Sequence, residues 1–155
     1  MTIKFLPTVS EILSVLFIML FLYTGISKIS DYFVFKEQIA TSPLLAPFAP
    51  VIAGLLPWVE FGVVILLAIP RWRLKGLYAS FILMVAFTIY IIAMLTFNKE
   101  VPCSCGGVIE LLSWNAHIVF NSVFIGLAGI AIIAETKIRK ARKKSLTFLT
   151  DGYAL

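Results

Sequence analysis

Charge is the first thing this chain lacks: of 155 residues only 14% are Asp, Glu, Lys or Arg, while 61% are hydrophobic. A soluble domain carries about 25% charged residues to clothe its surface, so a water-facing globule is excluded and the membrane class is left. Metal-ligand chemistry is scarce as well, with two cysteines and one histidine. Repeats, low-complexity stretches and long linkers are missing too, and one domain is expected.

What fills the chain is four apolar runs, about Ile12–Ile29, Val51–Ile69, Gly76–Phe97 and Ala116–Ala134. Each is near the ~20 residues that a spanning helix needs. None carries the polar face of a soluble amphipathic helix. The first run is too long for the apolar stretch of a secretory signal, and Gly25–Ser27 is a poor cleavage site. The expectation is an all-α, four-transmembrane-helix bundle over residues 1–135, followed by a basic cytoplasmic tail over 136–155.

Lysine and arginine set the expected orientation, because insertion keeps them on the cytoplasmic side. With the N-terminus inside, Lys4, Arg71, Arg73, Lys75, Lys137, Arg139, Lys140, Arg142, Lys143 and Lys144 are cytoplasmic, and only Lys28, Lys36 and Lys99 of the 13 basic residues are outside. The chain reads as N-in and C-in, in a bacterial inner membrane. Its net charge of +5 needs no nucleic-acid partner; the basic cluster beyond the fourth run suits anionic lipid headgroups of the bilayer. Between the first two runs, "SDYFVFKEQIATSPLLAPFAP" has an aromatic start and a proline-rich end, which suggests a short interfacial helix that turns back.

Both cysteines sit in "VPCSCGG", residues 101–107, on the expected outer face. A disulfide persists in such a compartment. Extended Cα atoms two residues apart stand ~7 Å from each other, just beyond the ~4.4–6.8 Å disulfide window, so Ser104 must turn. Gly106 and Gly107 supply the backbone freedom. Loop entropy for a three-residue ring is worth only about 1.6 kcal/mol, against about 4.7 for a hundred-residue loop. Such a ring staples little. Strain makes it labile, which favours redox use of Cys103 and Cys105 over a structural loop. Metal binding by Cys103, Cys105, His117 and Glu110 is the weaker alternative, because C-x-C is a poor metal signal and no second cysteine pair completes a site.

The fourth run opens with "LLSWNAHIVFN", where Trp114, His117 and Asn121 share one helical face at spacings of three and four. His117 lies near the outer surface, where an imidazolium or a helix N-terminus would lower the pKa of a facing thiol; an interfacial anchoring role for His117 and Trp114 is the competing reading. In the second run, "LPWVEFG" places Glu60 about ten residues into the span. A carboxylate there costs ~2.5–3.5 kcal/mol on insertion scales. It should face the bundle interior and find a partner among Lys28, Tyr23 and Tyr90, with Lys28 favoured because Gly25 in "YTGISK" permits close helix approach. The pair serves as a register-fixing contact or as a relay. Ser80 and Thr88 read as ordinary helix–helix contacts.

"YTGISK", "LPWVE" and "PCSCGG" followed by "LSW" and an Asn together resemble the MauE and DoxX-like family of bacterial membrane proteins, to about Glu135. The resemblance implies a four-helix inner-membrane bundle in redox service to an exported, disulfide-rich enzyme subunit. It implies Cys103 and Cys105 as the redox pair, with Gly106, Trp114 and Asn121 as framework. Where family members often carry Phe and Arg, Gly106 follows Cys105 directly and Phe120 precedes Asn121.

The leading expectation is a membrane thiol–disulfide oxidoreductase whose catalytic residues are Cys103, Cys105 and His117. Its partner is a periplasmic thioredoxin-like or disulfide-bearing protein. By analogy with the DsbB and vitamin K epoxide reductase bundles, a quinone is the candidate cofactor, with Trp58, Tyr23 and Trp114 beside His117 near the outer leaflet. The alternative is a non-enzymatic membrane subunit or assembly partner with a structural C-x-C loop. A transporter is a third reading, suggested by Glu60 but without inverted repeats.

Overall fold

The computed structural model describes residues 5–42, 45–97 and 114–152, and every element among them is helical. Four long helices, α1 (Leu6–Ser30), α3 (Ala49–Ala68), α4 (Arg73–Phe97) and α5 (Trp114–Gly152), form the bundle. A short helix, α2 (Tyr32–Ala40), and a 3-10 turn at Ala46–Phe48 connect α1 to α3. The four long helices are each long and apolar enough to cross a membrane. The expected all-α, four-span bundle is therefore the observed fold.

Helix ends differ from the apolar runs because helix formation is not limited to apolar residues. α1 starts at Leu6 with Pro7 in its first turn, where the missing N–H costs nothing. Its early polar residue Ser14 bonds back to the Ser10 carbonyl at 2.7 Å. α5 is 39 residues long, about 58 Å at ~1.5 Å per residue, nearly twice the ~30 Å hydrocarbon core. It passes Glu135 without a break, since Lys, Arg and Ala are good helix formers and the next glycine is Gly152.

The helices follow one another around the bundle as α1, α3, α4, α5, with α1 and α4 only lightly in contact. Phe17 and Phe21 of α1, Val63 and Leu67 of α3, Leu77 and Met84 of α4, and Ala128 and Ala131 of α5 make the core. The alanines let α5 approach its neighbours closely. Ile12, Met19, Ile65, Ile82, Val119 and Ile133 face outward. Outward aliphatics suit lipid, where the backbone is satisfied within each helix.

α3 and α4 are clamped at one end. Trp72 N–H donates to the Ile69 carbonyl at 2.9 Å and Gly76 N–H to the Trp72 carbonyl at 3.0 Å. A Cβ on Gly76 would stand 2.8 Å from the Leu67 backbone nitrogen. The same end holds a polar latch. Glu135 accepts from Ser10 Oγ at 2.9 Å and from Arg139 Nε at 3.0 Å, while Arg139 Nη2 donates to the carbonyls of Pro70 and Arg71, both at 3.1 Å. The start of α1, the α3–α4 turn and the basic stretch of α5 thus meet at one end of the bundle. α2 lies at the other end, docked on α3 through Ile39, Ala49 and Ala53.

Ser80 and Thr88 satisfy their own helix rather than bridging to another: each hydroxyl donates to the carbonyl four residues back, at 2.8 Å.

Candidate functional site

The site forms at the α2 end, where α1 supplies Lys28 and α3 supplies Glu60. Lys28 and Thr24 are four apart and share a face of α1; the Lys28 ammonium donates to the Thr24 carbonyl at 3.4 Å and to Glu60 Oε1 at 2.8 Å. Glu60 is fully buried and the Lys28 side chain is 16% exposed. Close approach of the two helices requires Gly25, at which a Cβ would stand 2.8 Å from Phe61 Cε1 and 3.4 Å from Glu60 Oε2. Pro57, buried one turn before Glu60, lacks an N–H to bond the Ala53 carbonyl but leaves α3 continuous.

Two aromatic rings complete the ammonium's surroundings. Phe35 of α2 lies 5.6 Å and Phe87 of α4 5.5 Å from Lys28 Nζ, ring centroid to nitrogen. Both distances are within cation–π range. One lysine therefore touches α2, α3 and α4 from α1. A cation that costs several kcal/mol to bury alone is offset by a carboxylate and two ring faces.

Beside the pair lies a cavity of about 270 Å³, lined from five helices. Its walls are mainly apolar and aromatic, including Phe21, Met84, Phe87 and Phe120; its polar lining is Thr24, Lys28, Tyr90, His117 and Asn121. Asn121 is 2% exposed. Among the described residues its amide nitrogen has no hydrogen-bond partner, and neither has Glu60 Oε2. Unpaired buried groups of this kind cost about 1–3 kcal/mol each.

His117 and Asn121 are thus brought into one cavity with Lys28, and Glu60 stands behind Lys28. Trp58 is 67% exposed and packs edge-on against Phe61 at 6.1 Å between ring centroids. Tyr23 is 41% exposed. Neither lines the cavity. Trp114 opens α5, but its side chain, and the whole of Cys103, Cys105, Gly106 and Glu110, lie outside the described residues. Among the described residues no group of three His, Cys, Asp or Glu could hold a metal.

Sequence reasoning missed Phe35, Phe87 and Phe120, since aromatics in an apolar chain carry no mark of the cavity they will line. It also missed the Ser10–Glu135–Arg139 latch. There a signal existed: an acid and a base four residues apart on one helix.

A family comparison matches residues 6–134, the whole bundle short of the basic end of α5, to the family described as Methylamine utilisation protein MauE. The chain belongs to the MauE family. This makes it a multi-pass bacterial membrane protein of a family linked to methylamine utilisation. The match is to MauE alone, so the DoxX-like part of the resemblance finds no support in it. No curated protein and no solved structure matches the chain.

Proposed function

We propose that this MauE-family protein is a membrane thiol–disulfide redox protein that exchanges disulfides with a periplasmic partner through Cys103 and Cys105. One observation carries the reading: the only two cysteines of the chain stand one residue apart, in the segment that joins α4 to α5. α4 ends and α5 begins at the bundle end that also carries Lys28, His117 and the cavity. The positive-inside bias supports placing this end outside and both termini in the cytoplasm of a bacterial inner membrane. The basic end of α5 then lies along anionic headgroups.

In the oxidising direction, a partner thiolate attacks one sulfur of the Cys103–Cys105 disulfide, breaking that bond and forming a mixed disulfide. The partner's second thiolate displaces it. The partner leaves oxidised, and Cys103 and Cys105 retain the two electrons as thiols. A quinone, the proposed acceptor, takes two electrons and two protons from the dithiol, which closes the disulfide again and releases quinol. His117 is the proposed proton carrier at the thiols.

Trapping in intact cells tests the reading. Cys103→Ala or Cys105→Ala should accumulate a covalent adduct with an exported protein that collapses on reduction. If neither variant traps a partner and both support function, the protein is a non-enzymatic assembly subunit and the C-x-C only shapes a loop.

A further inference from the structure

We infer that the cavity between Lys28, Asn121 and His117 is the headgroup site of a lipid-soluble quinone. This rests on the redox reading for its purpose but not for its evidence, which comes from described residues alone.

The mouth of the cavity points to the source of its ligand. Among the described residues that line it, Ala86 is the exposed one, and the others are buried or half-buried. Ala86 is the fourteenth of the 25 residues of α4, so a ligand route past Ala86, the proposed entrance, lies near mid-span. At that depth it faces lipid tails rather than water. A ligand entering past Ala86 is dissolved in the bilayer.

Charge narrows the class. Lys28 is the lining residue with a fixed positive charge, and Glu60 cancels it at 2.8 Å. An anionic headgroup or a fatty-acid carboxylate would find no uncompensated cation among the described lining residues and would add a second buried negative charge next to Glu60. The ligand is therefore neutral. A plain alkyl chain is disfavoured by the other polar feature: the Asn121 amide nitrogen, a donor without a partner among the described residues, on a residue 2% exposed. It calls for an acceptor such as a carbonyl.

Size and wall chemistry complete the assignment. About 270 Å³ is just under the ~300–1,000 Å³ of drug-sized pockets, room for a substituted ring and not for a whole lipid. Phe21, Phe87, Phe120 and Met84 offer ring faces and a polarisable sulfur, which suit a flat conjugated ring. A neutral planar ring with carbonyl oxygens, delivered from the bilayer, is a quinone. The site differs from the one expected around Trp58 and Tyr23: the acceptor is held inside the bundle, by Asn121.

The test uses the full chain in lipid nanodiscs with decyl-ubiquinone carrying ¹³C-labelled carbonyls. Saturable binding is expected, with one carbonyl band in the infrared difference spectrum moved to lower frequency by hydrogen bonding. Asn121→Leu, which replaces the amide by an apolar group of similar volume, should return that band to its free position and weaken binding about fivefold to tenfold, the worth of one neutral hydrogen bond. Ala86→Trp, which closes the mouth, should abolish saturable binding. Non-saturable uptake by the wild type, or unchanged affinity and band position in both variants, would overturn the inference. The Cys103→Ala/Cys105→Ala double variant should bind quinone as the wild type does. Saturable quinone binding in it, together with no partner trapped by either single cysteine variant, would sink the redox reading and leave the quinone site standing; trapping by a single variant without quinone binding would do the reverse.

Discussion

Lys28 Nζ stands 2.8 Å from Glu60 Oε1 and 5.5 Å from the ring centroid of Phe87, so a single side chain of α1 joins a carboxylate on α3 to an aromatic face on α4. The order of magnitude favours a pair that holds helices together only while both partners are present. Removing one leaves a buried charge.

The first prediction follows from that asymmetry. Lys28→Met should destabilise the protein by about 3–5 kcal/mol, and Lys28→Met/Glu60→Met should recover most of the loss, because an apolar pair of similar volume has no charge to bury. Thermal unfolding in detergent micelles measures both. A double variant as unstable as the single one would mean that Lys28 acts through packing and not through Glu60. Glu60→Gln should still insert, but it leaves the Lys28 ammonium without its carboxylate and should lower the melting temperature as well.

Close helix approach gives the second. At Gly76 an added Cβ meets backbone, 2.8 Å from Leu67 N and 3.0 Å from the Leu66 carbonyl carbon, whereas at Gly126 it meets nothing within 4 Å. Gly76→Ala should cost about 1–3 kcal/mol through overpacking that the backbone cannot relieve. Gly126→Ala should be neutral or gain up to about 1 kcal/mol of helix propensity. The Gly25 clash is with the far edge of the Phe61 ring, so Gly25→Ala should be rescued by Phe61→Leu. Equal melting temperatures for Gly76→Ala and Gly126→Ala would contradict the tight α3–α4 contact.

The latch at the opposite end supplies a third. Arg139→Lys keeps the charge beside Glu135 but loses the fork that reaches the Pro70 and Arg71 carbonyls. About 1 kcal/mol of stability should be lost. Protease cutting at the α3–α4 turn should rise with it. A variant that melts and resists cleavage like the wild type would show that the turn does not depend on Arg139.

Orientation is tested by labelling. A membrane-impermeant thiol reagent should reach Cys103 and Cys105 in intact cells after reduction. On a Cys103→Ala/Cys105→Ala background, the thiol introduced by Gly152→Cys should react only after lysis. The opposite pattern would invert the proposed topology.

By itself the sequence determined the four spans, since apolar length is a local property that lipid reads directly. It also determined the Lys28–Glu60 pairing, because a carboxylate in mid-span demands a partner and a cation followed Gly25 on a neighbouring run. Tertiary structure alone decided which side chains share the cavity. Trp58 is two residues from Glu60 in "LPWVEFG", yet at ~100° per residue the two point about 200° apart, so Glu60 turns in and Trp58 turns out. Tyr23 and Thr24, adjacent and so ~100° apart, also part, with Thr24 on the inward side. Asn121 shows the reverse: it looks like framework in the sequence, and only the packing of the helices around it leaves its amide nitrogen buried and, among the described residues, without a partner. Composition can say that a residue belongs in the membrane, but helix phase and neighbour packing decide what it faces there.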